Sequence, residues 1–189
     1  MTEIPLLHDL FNTQSTLILI PSEKYNEIIA TVPQMISGSK ICYITLNKTY
    51  NAIMDLFENE PYIDLDNIIF IDGITKSIGK VENRDNCYFV SSPQALTELS
   101  IVISEFLQYQ FDYVIIDSLT TLLIYQKSEQ PVVKFLSNIV HKIKENGSRG
   151  IFYALNVEEH NLLIQESSMI TDKLIDLDVQ ENREKLMIQ

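Results

Sequence analysis

The segment that decides the fold is residues 111–125, FDYVIIDSLTTLLIY. Its apolar run, residues 113–116, stops at Asp117 and Ser118. A continuous run of this kind is typical of a strand covered by helices on both faces, because such a strand cannot alternate apolar with polar residues. Asp117 would then emerge at the carboxyl edge of an open parallel sheet, where a nucleotide-binding fold places its Mg²⁺-holding carboxylate. A capping aspartate after a buried strand explains the same residues.

Composition and charge limit the class of protein. The chain has 189 residues, 46% of them hydrophobic and 21% charged, which predicts one globular domain over residues 1–189. A net charge of −12 repels phosphate backbones and anionic membranes, so we expect neither nucleic acid nor a membrane as partner. Without a signal-like start or an apolar stretch of about 18 residues, we expect a cytoplasmic protein. Cys42 and Cys87, both in apolar runs, are predicted to be buried free thiols.

Apolar strand-like runs alternate with helical patterns through most of the chain. This alternation predicts a three-layer α/β fold with a mainly parallel central sheet. Towards the end, residues 174–179 and 185–188 frame a polar turn at residues 180–183, which predicts a C-terminal antiparallel hairpin. The expected strands before it are residues 16–20, 41–46, 67–71, 87–90, 113–116 and 150–155.

Several of these segments together resemble the RecA-like branch of the P-loop ATPases, and most closely its KaiC-like relatives. The resemblance covers nearly the whole chain and implies a three-layer αβα RecA-like fold. Residues 113–118 resemble a Walker B segment, and residues 170–175, ITDKLI, resemble the strand that follows the nucleotide site in KaiC-like domains. The other matching segments are residues 90–93, VSSP, before an apolar helix, and the strand at residues 150–155.

The phosphate-binding loop of that family is degenerate here. The family requires G-x-x-x-x-G-K-[ST], whose backbone N–H groups, lysine and hydroxyl hold the phosphates and Mg²⁺. Residues 21–28 read PSEKYNEI, with Pro21 and Asn26 at the glycines, Glu27 at the lysine and Ile28 at the hydroxyl. An inward carboxylate within ~4 Å of a phosphate would cost on the order of 4 kcal/mol at an effective dielectric of about 20. The loop therefore predicts weak or absent triphosphate binding.

A second catalytic feature of the family is also missing. KaiC-like ATPases place a pair of glutamates just past the second strand, and one of them activates the attacking water. Asn47 and Lys48 stand at the matching positions. An amide does not titrate and a lysine near its ordinary pKa is protonated, so neither can be that base. We therefore expect no ATP hydrolysis by the usual route.

These observations leave two main hypotheses. The first is a non-catalytic RecA/KaiC-like module, a pseudo-ATPase without cofactor, that serves as a platform for self-association or for a signalling or ATPase partner. The alternative is a protein that binds a nucleotide or another small anion, with ATP and Mg²⁺ and weak or atypical ATPase activity. Its vestigial nucleotide-binding residues would be Ser22, Lys24, Asp117 and Ser118.

Two other kinds of site are disfavoured. His8, His141 and His160 are isolated from each other and from the cysteines, so no metal site is predicted, and no catalytic residue is assigned. A phosphoacceptor receiver domain would use Asp117 as its phosphorylated acid. It also needs further acids after the first strand and a lysine after a late strand, and the sequence after Leu155 lacks that lysine.

Overall fold

The computed structural model describes residues 5–81, 84–156 and 161–178. Within them, seven strands form one sheet in the order β4-β3-β2-β5-β6-β1-β7, and every pairing is parallel. The mainly parallel α/β fold is thereby confirmed. The strands are β1 Ser15–Ile20, β2 Ile41–Thr45, β3 Ile68–Asp72, β4 Cys87–Phe89, β5 Tyr113–Asp117, β6 Arg149–Leu155 and β7 Lys173–Asp176.

Helices cover both faces of this sheet and make two separate cores. One core lies between the sheet and the first two helices, and the other lies between the sheet and the later helices. Each fully buried Ile, Leu or Val contributes roughly 1.5–3 kcal/mol, so the two cores account for most of the favourable burial. The helices are α1 Tyr25–Met35, α2 Tyr50–Phe57, α3 Thr75–Ile78, α4 Leu96–Leu107, α5 Leu119–Tyr125, α6 Gln130–Glu145 and α7 Asn161–Ile170.

Strand β5 lies at the middle of the sheet, as its sequence predicts. All five of its residues are buried. Because side chains alternate along a strand, Val114 and Ile116 enter the core beneath α4 to α6, whereas Tyr113 and Ile115 enter the core beneath α1 and α2. Asp117, the last residue of β5, therefore lies on the α1 and α2 side.

The structure differs from the sequence-based expectation at three places. Strand β7 is an edge strand parallel to β1; the second strand of the predicted hairpin, residues 185–188, and its turn lie outside the described residues, so the hairpin is not confirmed. The segment after β5 forms helix α5, which was not predicted because its Leu and Thr residues show no clear helical period. The short helix α3 was not predicted either.

No helix in the described parts of the chain has the length and apolar composition needed to cross a bilayer.

Candidate functional site

The candidate site lies at the carboxyl edge of the sheet, where Asp117 ends β5. Its carboxyl group is completely buried, and the peptide bond between Asp117 and Ser118 is cis. The strand register places Thr45 of β2 beside Asp117 and Ile116 beside Phe152 of β6. Tyr43 lies two positions before Thr45, and Tyr153 follows Phe152 as Asp117 follows Ile116. Because side chains alternate along a strand, Tyr43 and Tyr153 project from the same face of the sheet as Asp117.

The turn after β1 brings a third tyrosine to this carboxyl group. Pro21 is extended, Ser22–Lys24 form a single 3₁₀ turn, and α1 begins at Tyr25. This compact turn contains no glycine, unlike the glycine-rich loops that surround phosphates in other proteins. The Tyr25 side chain is only 7% exposed, and its hydroxyl donates a hydrogen bond to Oδ1 of Asp117. An aromatic side chain therefore closes the space between this turn and Asp117.

A second hydrogen bond occupies the other carboxyl oxygen. The Tyr43 hydroxyl donates to Oδ2 of Asp117 at 2.8 Å. Burial of the Asp117 carboxyl group raises its pKa well above the ordinary value for an aspartate. Both oxygens are thus engaged by phenols of the protein itself, in a region without contact to solvent.

Tyr153 completes the cluster without completing its hydrogen bonding. Its hydroxyl is buried and has no hydrogen-bond partner among the residues that the structure describes. Burial raises the pKa of Tyr153, and the nearby charge of Asp117 raises it further. Burial likewise raises the pKa of Tyr43, with a smaller contribution from Tyr153. We call Tyr25, Tyr43, Tyr153 and Asp117 the tyrosine cluster.

The residues that follow Tyr25 do not enter this cluster. Glu27 and Asn26 are exposed, so the carboxylate of Glu27 is not held in the space beside Asp117. Ile28 is fully buried in the core beneath α1. Tyr25, two positions before Glu27, is the residue that turns inward.

Lys48 lies on the outer side of Tyr25. Its ammonium nitrogen is 5.8 Å from the centre of the Tyr25 ring, a cation–π distance. The backbone N–H of Lys48 donates to the Thr45 hydroxyl at 3.3 Å, which ties the turn after β2 to the strand end. Asn47 is exposed. Of these two residues, only Lys48 lies against Tyr25.

The four predicted nucleotide-binding residues are divided between the interior and the surface. Asp117 and Ser118 are completely buried, and the Ser118 hydroxyl lies 3.0 Å from the hydroxyls of Thr120 and Thr121. Ser22 is exposed and Lys24 is partly buried on the turn. The structure brings together Asp117 and three tyrosines that the sequence analysis did not select.

Register is the signal by which two of those tyrosines could have been found. Once β2, β5 and β6 are placed side by side, Tyr43 and Tyr153 lie on the face of Asp117. Tyr25 gives no comparable signal, because its inward direction depends on the geometry of the turn that precedes α1. Among the residues that the structure describes, no group of three or more His, Cys, Asp or Glu side chains is arranged to hold a metal ion.

Comparison with known proteins gives the class of fold. No family model matches the sequence, and no curated protein matches it. Among solved structures, a KaiC-like protein from the hyperthermophilic archaeon Pyrococcus horikoshii aligns with a TM-score of 0.62 and 11% identity, over 86% of this chain and 71% of that one. The chain therefore has a RecA/KaiC-like α/β fold. At this identity the likeness defines the fold alone.

Proposed function

We propose that this chain is a non-catalytic RecA/KaiC-like module, a pseudo-ATPase whose folded body acts as a platform for a protein partner or for self-association. The observation that carries the proposal is the hydrogen bond from the Tyr25 hydroxyl to the buried carboxyl group of Asp117. In an active site of this fold, that carboxyl group would face Mg²⁺ and the phosphates.

The energetics of opening this site support the proposal. To reach Asp117, a metal ion would have to displace Tyr25, which exposes a buried aromatic ring and breaks its hydrogen bond. Exposure of a large apolar side chain costs roughly 1.5–3 kcal/mol, and a buried acceptor left without its donor costs about 1–3 kcal/mol more. The turn has no lysine at the family position to recover this free energy from phosphate contacts. The state in which Tyr25 contacts Asp117 is therefore favoured over the state in which a metal ion has displaced Tyr25.

A role in binding other proteins is consistent with the rest of the chain. The described residues form a seven-stranded parallel sheet, which supports a folded platform whether or not the site is catalytic. The net charge of −12 favours association with basic surfaces and opposes close approach of uncompensated acidic ones. A protein partner with a basic surface, in a signalling or regulatory setting, fits this charge better than a nucleic acid does.

Nucleotide titration of stability tests the proposal against the nucleotide-binding alternative. We expect the free energy of unfolding to be unchanged by millimolar ATP, ADP or GTP with Mg²⁺, measured by urea unfolding. A nucleotide bound at 100 times its dissociation constant would raise it by roughly 2.7 kcal/mol. An increase of that size in the wild type, lost in Lys24→Ala, would instead establish the alternative site at the turn.

A further inference from the structure

A cavity of about 450 Å³ lies at the opposite edge of the sheet from Asp117. It is formed around the end of α4 and the starts of β2, β3 and β5. Gln110, in the turn between α4 and β5, has a φ of 58°. A five-residue strand is about 16 Å long, so this cavity is separate from the tyrosine cluster. The lining side chains that matter here are Lys40, Asp66, Asp85, Phe106, Tyr109 and Phe111.

The charges around this cavity favour a cation. Lys40 contributes one positive charge and Asp66 and Asp85 contribute two negative charges, so the rim carries a net charge of −1 on a molecule of net charge −12. In the described parts of the chain, neither carboxylate takes part in a hydrogen bond or an ion pair. Both are exposed and available to an incoming group.

The aromatic side chains favour the same kind of ligand. Phe106 packs edge-to-face against Tyr88 at 5.8 Å and against Tyr109 at 6.0 Å between ring centres. Tyr88 is 45% exposed, with the Lys76 ammonium 6.0 Å from its ring centre, and Tyr109 is 71% exposed. The row of rings therefore continues from the cavity onto the surface, and Tyr109 offers the ring face without a cation on it among the described residues. The negative faces of aromatic rings attract cations, and a guanidinium group can also stack on them.

Size and shape select among cations. The cavity volume lies in the range of about 300–1,000 Å³ that is usual for sites of organic ligands. A cavity of this size is too large to hold a bare metal ion. A planar guanidinium can contact a carboxylate through two parallel hydrogen bonds while its face lies on a ring, whereas an ammonium acts as a point charge. The combination of two carboxylates with a row of rings therefore matches arginine better than lysine.

We propose that this cavity receives an arginine side chain from a protein partner, with apolar residues beside that arginine packing on Tyr88 and Tyr109. This inference rests on the proposed function and supplies the chemistry of the partner. A second copy of the chain is a poor source of the arginine. The sequence has only three arginines, and the guanidinium of Arg149 already lies over the Tyr113 ring at 5.8 Å.

Binding of defined peptides to the intact, ¹⁵N-labelled protein tests this site. The probes are capped pentapeptides Ser-Leu-X-Leu-Ser in which X is arginine, lysine, citrulline or glutamate, together with free arginine amide. We expect the arginine peptide to bind at least about fivefold more tightly than the citrulline peptide, which keeps the shape without the charge. The affected amide signals should include those of Ile69, Tyr109 and Phe111, which line the cavity.

Charge-matched variants separate the cavity from the general negative field. The double variant Asp66→Asn, Asp85→Asn should bind the arginine peptide about tenfold more weakly. The control Asp55→Asn, Glu58→Gln removes two exposed acids at α2, on the other face of the sheet, and should leave the affinity nearly unchanged.

The inference would be overturned if no peptide binds, if the arginine and citrulline peptides bind equally, or if both double variants weaken binding equally. Free arginine amide that binds as tightly as the pentapeptide would also overturn it, because the cavity would then take a small guanidinium compound. None of these results involves Tyr25 or Asp117. Failure here is therefore distinguishable from failure of the pseudo-ATPase proposal, which the nucleotide titration measures.

Discussion

Replacing Asp117 with alanine should lower the free energy of unfolding by about 3 kcal/mol. The carboxyl group is completely buried and accepts hydrogen bonds from the hydroxyls of Tyr25 and Tyr43. Its removal leaves two phenol hydroxyls without a partner in the core, at roughly 1–3 kcal/mol each, and leaves a small cavity that relaxation of the surroundings partly closes. Urea unfolding of the two proteins at one pH measures the difference.

Two further variants show whether this loss comes from the hydrogen bonds. Asp117→Asn keeps a carbonyl acceptor of the same shape and should lose less stability than Asp117→Ala. Tyr153→Phe removes a buried hydroxyl that has no partner among the described residues, so it should cause no loss. A loss below about 0.5 kcal/mol for Asp117→Ala, the range typical of unremarkable surface positions, would show that the carboxyl group is not the structural centre that we describe.

The contribution of Asp117 to stability should fall as pH rises above about 4, and Asp117→Asn should remove that contribution. Burial raises the pKa of Asp117 in the folded protein above the value of about 3.9 in the unfolded chain. Between those two pKa values, the folded state binds more protons than the unfolded state. The stabilisation is therefore complete below the unfolded pKa and is lost as pH rises towards the folded pKa, by up to about 1.4 kcal/mol per pH unit.

Urea unfolding at a series of pH values from 4 to 8, for the wild type and Asp117→Asn, measures this contribution. The difference between the two curves isolates Asp117 because all other titrating groups are shared. The groups that contact its carboxyl oxygens are the Tyr25 and Tyr43 hydroxyls, and burial raises the pKa of Tyr43 further from this range. Parallel curves, or a difference of the opposite sign, would contradict a raised pKa for Asp117.

The sequence predicts the sheet well because its strands are buried on both faces. The run at residues 113–116 and the Asp117 that follows place β5 and its carboxyl end correctly, since an unbroken β-branched run has few other uses. Helix α5 was missed because Thr120 and Thr121 are buried by packing and not by a helical stripe. Tertiary contacts there override the local pattern.

For the candidate site, the sequence predicts which ATPase residues are missing but not which residues occupy their place. The resemblance to KaiC-like ATPases predicts that Glu27, Asn47 and Lys48 stand where those ATPases have a lysine and two glutamates. The sequence does not show that Tyr25 lies beside Asp117, because the direction of the Tyr25 side chain is set by the 3₁₀ turn at Ser22–Lys24 and by the neighbouring strands. Glu27 was weighed as an inward charge, whereas it is exposed and the inward residue is an uncharged phenol.

The most direct test of the central claim is Mg²⁺-dependent release of phosphate from ATP by the purified wild-type protein, with Asp117→Asn measured in parallel. If Tyr25 closes the site, the wild type releases phosphate at the rate of the buffer alone, and Asp117→Asn does the same. A wild-type rate above that background, abolished by Asp117→Asn, would show that Asp117 reaches a metal-bound nucleotide and would contradict the account.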